Sequence, residues 1–126
     1  MNTQVLEPAR LPFAFEDALN AGDVDAVLAL FSPDATMRTP AGEVLTGPEE
    51  LRAEIVRTVA AGARLANTAR FCLTGDDTAL IVVDWALEAT APDGTRATPT
   101  GTTANVARRS ADGAWQFTVL NPLGTA

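Results

Sequence analysis

Histidine and tyrosine are both absent from this sequence of 126 residues. Without histidine, the usual general base near neutral pH and the commonest metal ligand are missing. Without tyrosine, no phenol is present to act as an acid. These absences exclude Ser-His-Asp and Cys-His catalysis and histidine-based metalloprotease chemistry. Carboxylate chemistry and purely positional catalysis remain.

Cysteine is almost absent as well, since Cys72 is the single thiol in the chain. One cysteine forms no intramolecular disulfide, and a zinc site built from several cysteines is excluded. The position of Cys72 between Phe71 and Leu73 favours a buried structural thiol. We predict neither a metal site nor a cofactor.

Positive charge is scarce, because 16 acidic residues stand against 9 basic ones and give a net charge of -7. That excess repels phosphate backbones and argues against a nucleic-acid partner. No apolar run reaches the length of a membrane crossing, and the stretch Met1 to Leu11 lacks the pattern of a signal peptide. We therefore expect a cytoplasmic protein without a membrane partner.

Hydrophobic residues make up 47% of the sequence, which is enough for a core. No repeat, charge block or linker divides the chain, so we predict one domain over residues 1–126, with residues 1–11 as a loose leader. A helix is expected from Pro12 to Gly22, with Phe15 and Leu19 on its apolar side.

Asp23 is suited to the N-cap of a second helix, whose helical spacing extends to Phe31 before a turn at residues 32–34. A brief strand is expected at residues 35–39, with residues 44 and 45 pairing back against it. A third helix is predicted from Pro48 to Gly62. Its apolar stripe consists of Leu51, Ile55, Val56 and Val59.

Beyond residue 64 the pattern is that of strands, because three turn clusters separate four extended segments. Pro99 and Gly101 interrupt the third of these segments, which indicates a bulge that bends the sheet. The predicted fold class is α+β, with three N-terminal helices packed on a strongly curved antiparallel sheet. Such an arrangement leaves a concave cavity.

The segment 79–87 alternates between two faces. Ile81, Val83, Trp85 and Leu87 form one face, which we expect to point inward, while Leu80, Val82, Asp84 and Glu88 form the other. The second face is still partly apolar, so we predict a homodimer through the outer face of the sheet. Trp115 follows a tight turn, and we expect it to be partly exposed.

The run Ala18 to Asp25, followed by Leu30 to Thr36, resembles the opening of the nuclear transport factor 2-like (NTF2-like) superfamily, as does the helix start at residues 47–51. This superfamily has a cone-shaped, cystatin-like fold and includes ketosteroid isomerases and SnoaL-like polyketide cyclases. The segments 92–94, 108–109, 112–115 and 121–124 resemble its SnoaL-like or DUF4440 branch.

The resemblance to ketosteroid isomerases implies three catalytic positions: a tyrosine on the first helix, an aspartate base after the first strand and a protonated aspartic acid in the sheet. Phe15, Thr39 and Asn105 occupy these positions here. None of them supplies the required acid or base, so the isomerase mechanism is not expected. The amide of Asn105 is still able to donate a hydrogen bond to a carbonyl or enol oxygen.

We therefore predict a domain that binds a small apolar ring compound in the cavity of its cone-shaped fold, as in a polyketide- or steroid-type isomerase or cyclase. Whether the protein is an enzyme stays open. The predicted ligand-binding residues are Phe15, Phe31, Met37, Thr39, Ile55, Trp85, Asn105 and Asn121. For Asn121 a role in a strand-ending turn is an equal alternative. The alternative function is a non-catalytic dimerisation or association module, whose cavity would be filled by side chains.

Overall fold

The computed structural model describes residues 4–126 and has the predicted α+β architecture, with helices packed on a mostly antiparallel sheet. The helical elements are a 3-10 turn at Pro8–Arg10 and the helices α1 (Leu11–Asn20), α2 (Val24–Leu28) and α3 (Pro48–Ala60). The strands are β1 (Phe31–Arg38), β2 (Val44–Thr46), β3 (Arg64–Gly75), β4 (Thr78–Thr90), β5 (Arg96–Ala97), β6 (Thr100–Thr102), β7 (Asn105–Arg109) and β8 (Trp115–Leu120).

Within residues 4–126, eight strands form one sheet, and its main path runs β2-β1-β8-β7-β4-β3. β5 and β6 also pair with β4, so the long strand β4 is accompanied in turn by β7, β6 and β5. The breaks between these three strands lie around Pro99 and Thr103, which confirms the predicted interruption at Pro99, whereas Gly101 lies inside β6 and pairs with Trp85. Every pairing is antiparallel except that of β1 with β8.

Register shifts interrupt the ladder in three places, between β1 and β8, between β3 and β4, and between β7 and β8. Each extra residue bends its strand and increases the local twist. The inner face of the bent sheet carries the buried side chains Ile81, Val83 and Phe117, against which Leu19 of α1 and Ile55 of α3 pack. The core therefore lies between the helices and one face of the sheet.

The helix starts follow the sequence signals. Pro12 lies in the first turn of α1, and Asp23 caps α2 by accepting a hydrogen bond from the backbone N–H of Ala26 at 3.0 Å. Pro48 begins α3 after Gly47, whose φ of 90° is the left-handed conformation that glycine tolerates. One prediction for α3 is wrong: Val56 is 45% exposed, so it is not part of the buried stripe.

The predicted end of the second helix at Phe31 is also wrong, since α2 ends at Leu28 and Phe31 begins β1. The backbone N–H of Phe117 donates to the carbonyl of Leu30 at 2.7 Å, which joins this segment to β8. Pro33 is therefore inside a strand and not in a turn. Its missing N–H is tolerated because it lies within the register shift between β1 and β8.

The predicted loose leader is only partly packed, since Leu6 is 65% exposed, and residues 1–3 lie outside the described residues. Val5 and Leu11 are buried, and the carbonyl of Val5 accepts a hydrogen bond from the N–H of Trp115 at 2.8 Å. Trp115 is itself only 4% exposed, which corrects the expectation of a partly exposed ring. The Arg109 guanidinium covers that ring, with Cζ 5.9 Å from the ring centroid.

Candidate functional site

A cavity of about 110 Å³ lies between α1, α3 and the inner face of the sheet. Its helical wall consists of Pro12, Phe15, Leu19, Glu54, Ile55 and Thr58. The remaining lining residues are Met37, Arg38, Pro40, Leu65, Asn67, Val83, Trp85, Leu87, Thr103, Asn105, Phe117, Leu120 and Pro122. The wall is therefore mainly apolar, with a few polar side chains, as in small-molecule sites.

Five of the eight predicted ligand-binding residues line this cavity: Phe15, Met37, Ile55, Trp85 and Asn105. The alternation along β4 places Trp85 on the inner face, and the 3.6-residue period of the helices turns Phe15 and Ile55 toward it. The structure thus brings these five together around one space. That they bind a ligand stays a prediction.

Phe31, Thr39 and Asn121 do not line the cavity. The Phe31 ring lies behind its wall, 6.1 Å from the Phe15 ring and 5.6 Å from the Phe117 ring. The hydroxyl of Thr39 accepts a hydrogen bond from the backbone N–H of Glu43 at 3.1 Å, so it stabilises the turn after β1.

The Asn121 side chain has the turn role that was its alternative, because its Nδ2 donates to the carbonyl of Gly124 at 2.8 Å. Its Oδ1 faces the Arg38 guanidinium at 3.4 Å. Both ends of this amide are therefore engaged at the end of β8. Asn121 still affects the cavity through its backbone N–H, which contacts Asn105.

Asn105 is the polar group of greatest interest in the wall, because it is only 2% exposed and half of its amide is unused. The backbone N–H of Asn121 donates to its side chain at 2.7 Å. Since an N–H only donates, the accepting atom must be Oδ1, and this fixes which end of the amide is Nδ2. Nδ2 makes no hydrogen bond to any of residues 4–126, so a donor remains for a ligand.

Trp85 is held rigidly in the wall. Its indole Nε1 donates to the carbonyl of Pro122 at 2.8 Å. Its cross-strand neighbour is Gly101, and a Cβ on that glycine would lie 2.8 Å from Cζ2 of the indole ring. The absence of a Cβ at Gly101 therefore leaves the space that the ring occupies beside β6.

Polar side chains of α1 attach the helix to the edge strand β3. Asn20 accepts from the N–H of Leu65 at 2.7 Å and donates to its carbonyl at 2.9 Å, and Glu16 accepts from the N–H of Asn67 at 2.6 Å. The Nδ2 of Asn67 donates to the carbonyl of Pro12 at 2.8 Å. These bonds satisfy the first residues of the free edge of β3 and hold α1 against the strand beside the cavity.

Sequence reasoning missed the cavity positions of Asn67, Glu54 and Thr103. The Thr103 hydroxyl is fully engaged, because it accepts from the N–H of Val83 at 3.0 Å and donates to the carbonyl of Ile81 at 3.4 Å. For Glu54, a signal was available, since it lies next to Ile55 on α3 and one turn before Thr58. Its helical position predicts the same face, but its charge suggested an exposed residue.

A comparison with protein families matches residues 14–119 to the SnoaL-like domain. The chain belongs to the SnoaL-like domain family. No curated protein matches the chain significantly.

Solved structures similar to this SnoaL-like domain share its fold at low sequence identity. A provisionally named calcium/calmodulin-dependent protein kinase type II association domain from Thiobacillus denitrificans is 23% identical with a TM-score of 0.78, over 97% of this chain and 99% of that one. A ketosteroid isomerase-like protein from Erwinia carotovora atroseptica is 21% identical with a TM-score of 0.76, over 87% of each chain. An NTF2-like protein with a cystatin-like fold from Novosphingobium aromaticivorans is 16% identical with a TM-score of 0.73, over 89% of this chain and 75% of that one.

The outer face of the sheet in this SnoaL-like domain has an apolar half and a polar half. The apolar half carries six side chains from neighbouring strands, and we call them the outer apolar patch: Phe71, Leu73, Leu80, Val82, Val106 and Val119. Phe71 is 49% exposed and Leu73 is 59% exposed. Such a contiguous apolar surface is unusual for a face in contact with water.

The polar half centres on Asp84, whose two carboxylate oxygens accept hydrogen bonds from Nε of Arg70 at 2.8 and 3.0 Å. The hydroxyl of Thr102 donates to the same carboxylate at 2.6 Å. These donors, with Arg70 first, hold the pKa of Asp84 below its usual range. Its engagement on the outer face separates Asp84 from the cavity.

Two further structural observations bear on function. In the part of the chain that the structure describes, no group of three or more acidic or cysteine side chains is arranged to hold a metal ion. Among residues 4–126, none of the helices has the length and apolar character that a bilayer crossing requires.

Proposed function

We propose that this SnoaL-like domain binds a small apolar ring compound in its cavity, with Asn105 orienting the polar atom of that compound. The observation that carries the proposal is that only one end of the Asn105 side-chain amide is hydrogen-bonded within the protein. Its Oδ1 is fixed by the N–H of Asn121, and its Nδ2 has no partner among residues 4–126. No fully buried side-chain nitrogen or oxygen of residues 4–126 lacks a partner, so Nδ2 keeps some accessible surface, and a carbonyl oxygen of a ligand is able to accept its hydrogen bond.

The volume of the cavity limits the ligand to about one ring. An apolar cavity of roughly 150 Å³ in another protein binds benzene, and pockets for drug-sized molecules span roughly 300–1,000 Å³. The space here is about 110 Å³. A steroid or a polycyclic polyketide would need α1 and α3 to move away from the sheet, so we propose a monocyclic ligand.

The positions that the isomerase resemblance assigns to acid and base are occupied by groups without that chemistry. The Phe15 ring packs edge-on against the Phe31 and Phe117 rings, and the Thr39 hydroxyl is bound to the turn after β1. We therefore propose no isomerase mechanism through these positions. The assignment to the DUF4440 branch and the cytoplasmic location remain predictions.

The experiment compares two probes with the same number of non-hydrogen atoms, cyclohexanone and toluene, on the wild-type protein and on Asn105→Asp. A ligand that binds only the native state raises Tm, by an amount equivalent to about 2.7 kcal/mol at 100 times Kd. Aspartate keeps the acceptor for the N–H of Asn121 but replaces the Nδ2 donor with an oxygen.

We expect both probes to raise Tm of the wild type. Because Asn105→Asp loses the donor, it should bind cyclohexanone at least about tenfold more weakly, a loss of about 1.4 kcal/mol. Its affinity for toluene should change little, since toluene has no acceptor. If neither probe binds, or if Asn105→Asp retains cyclohexanone affinity, the proposal fails.

We propose homodimer formation through the outer apolar patch as a second function, which corresponds to the association module. The exposed fractions of Phe71 and Leu73 on the outer face support it, since an interface of this kind would remove them from water. The cavity is not filled by side chains, so association and ligand binding are compatible.

Sedimentation equilibrium tests the dimer. We expect a dimer for the wild type and a monomer for Leu73→Asp, because a carboxylate buried in the interface would have no partner. Val56→Asp is the matched control, since Val56 is 45% exposed on α3 and away from the patch. A monomeric wild type at high concentration, or dissociation of both variants, would refute the homodimer.

A further inference from the structure

The two edges of the sheet differ in how much unpaired backbone they present. One edge is β2, which is only 3 residues long, and the other is β3, which has 12 residues. Side chains of α1 occupy the first part of β3. There Asn20 bonds both backbone groups of Leu65. Glu16 accepts a hydrogen bond from the N–H of Asn67. The later part, residues 71–75, has no such cover and determines how this edge behaves.

The backbone groups of Cys72 and Thr74 point away from β4. Gly75 pairs with Thr78 across a two-residue turn, and the pair that closes such a hairpin is hydrogen-bonded. Because the bonds of an antiparallel ladder alternate, Leu73 also bonds to β4, whereas residues 72 and 74 direct their N–H and C=O groups to the edge. No other backbone group among residues 4–126 bonds to these two residues. They present a short, open row of donors and acceptors.

The most exposed side chains of the outer apolar patch lie on this same strand. Phe71 and Leu73 are 49% and 59% exposed, whereas Leu80 and Val82 on β4 are 36% and 8% exposed. The apolar surface in contact with water is therefore concentrated at the edge of the face. Residues 71–75 contain neither a charge nor a proline, which are the usual features that keep an edge strand from pairing. This edge is suited to pairing with another strand.

We propose that the two copies of the homodimer join along this edge, with β3 of one copy antiparallel to β3 of the other. The inference rests on the homodimer proposed above and specifies its geometry, in which the sheets meet edge to edge and not face to face. A two-fold axis at Leu73 places Cys72 of each copy opposite Thr74 of the other. The free N–H and C=O groups of these residues then bond to each other across the axis.

The side chains around this axis are complementary. Leu73 meets Leu73 of the second copy in a non-hydrogen-bonded pair, where side chains lie closest. Phe71 lies opposite Gly75 of the second copy. A Cβ at Gly75 would meet no atom within 4 Å, so there is open space above this glycine. The Phe71 ring of the other copy fills that space, as aromatic side chains do beside edge glycines. Both exposed apolar side chains of residues 71–75 therefore gain a partner.

Charges at the ends of the paired segment are complementary as well. The same register places Arg70 beside Asp76 of the second copy. Asp84 bonds only Nε of Arg70, and the two Nη atoms make no hydrogen bond to residues 4–126. One of them is able to bond the Asp76 carboxylate on each side of the axis. The register shift between Ala69 and Phe71 ends the regular pairing at this point, so the contact is limited to residues 70–76.

Cross-linking with a short bismaleimide tests the geometry, because Cys72 is the single thiol of the chain and every cross-link must join two copies. Edge pairing places the two Cys72 residues about 8 Å apart, given a rise of about 3.4 Å per residue and a strand spacing of about 4.8 Å. Cys72 packs on the inner side of the sheet, against the core. In a dimer stacked through the outer faces, the two thiols would point away from each other across sheets about 10 Å apart. We expect a covalent dimer of the wild type.

Thr74→Cys in a Cys72→Ser background repeats the measurement at an exposed position, since residues 72 and 74 lie equally far from the axis. Thr68→Cys in the same background is the matched control, because residue 68 is exposed on the same strand but lies about 34 Å from its counterpart in this pairing. Thiols at 72 and 74 should cross-link at least about tenfold faster than a thiol at 68, because pairing raises the effective concentration of the second thiol.

Thr74→Pro disrupts the edge without changing the outer face. It removes an N–H that points away from β4, and a strand tolerates proline at such a position. We expect Thr74→Pro to raise the dissociation constant of the dimer at least about tenfold in sedimentation equilibrium, since backbone hydrogen bonds are lost on both sides of the axis. Thr74→Val keeps the N–H and should remain a dimer. If circular dichroism shows that Thr74→Pro is unfolded, cross-linking at 72 and 74 decides.

Failure of this geometry is distinguishable from failure of the homodimer. A wild type that stays monomeric at high concentration overturns both, and it would leave the edge to a different partner. A wild-type dimer that does not cross-link at 72 or 74 faster than at 68 overturns the edge pairing alone. A dimer that survives in folded Thr74→Pro also overturns the edge pairing and supports stacking through the outer apolar patch.

Discussion

Gly101→Ala should destabilise the protein because it removes the space that the Trp85 ring occupies. The added Cβ would lie 2.8 Å from Cζ2 and 2.9 Å from both Cε2 and Nε1 of the indole, closer than carbon atoms approach in proteins. The backbone at Gly101 is not in the left-handed region, so alanine introduces no strain of its own. The ring must therefore move, and its hydrogen bond to Pro122 must lengthen or break.

The magnitude follows from these two effects. Overpacking costs about 1–3 kcal/mol, and loss of the indole hydrogen bond adds about 1 kcal/mol. We expect a decrease of about 2–4 kcal/mol in the free energy of unfolding. With an m value of about 2 kcal/mol/M, the urea midpoint should fall by roughly 1–2 M. Equilibrium unfolding followed by circular dichroism and tryptophan fluorescence measures this change.

Gly75→Ala is the matched control, since Gly75 also lies in a strand without a positive φ, but an added Cβ there meets no atom within 4 Å. Its free energy of unfolding should remain within about 0.5 kcal/mol of the wild type. Equal midpoints for the two variants would refute the tight contact between Gly101 and Trp85. Because Trp85 lines the cavity, Gly101→Ala should also weaken cyclohexanone binding.

Two further predictions concern the core and the outer face. Phe117→Ala should lower the free energy of unfolding in urea by about 3–5 kcal/mol, because Phe117 is 1% exposed and its ring contacts the Phe15 and Phe31 rings. Phe117→Leu should lower it by less than half as much. Equal losses in the two variants would contradict this packing. Since Arg70 and Thr102 lower the pKa of Asp84, its contribution to stability is complete above its unfolded pKa of about 3.9 and is lost as pH falls through the folded value. The urea midpoint of Asp84→Asn should therefore fall less than that of the wild type between about pH 5 and about pH 3, and an equal fall would show that this carboxylate has no role in acid sensitivity.

Local signals were sufficient for much of the fold. Pro12, Asp23 and Pro48 mark helix starts by their own backbone chemistry, and the alternation around Trp85 identifies the inner face of β4. The interruption at Pro99 was predictable for the same reason, since a proline lacks the N–H of a regular ladder. Each of these predictions depends on a few neighbouring residues.

Features decided by distant partners were not predictable in this way. Phe31 has helical spacing to Val27, yet it belongs to β1 because β8 pairs with it across the sheet. Trp115 is buried because residues from the start of the chain and Arg109 cover it. Local sequence contains no information on these contacts.

The candidate site shows the same division. Phe15, Ile55 and Trp85 were identified because their apolar periodicity points toward the core. Asn67 was missed, because its position depends on how α1 lies against β3. The free Nδ2 of Asn105 depends on the backbone of Asn121, which lies 16 residues further along the chain.

The central claim is that the cavity accepts one ring with an acceptor atom at Nδ2 of Asn105. NMR of the side-chain amide of Asn105 during titration with cyclohexanone tests it most directly. We expect saturable shifts of both Nδ2 protons together with resonances of Phe15 and Trp85, while Phe71 on the outer face is unchanged. Unchanged Nδ2 protons at cyclohexanone concentrations that shift the outer face would contradict the account.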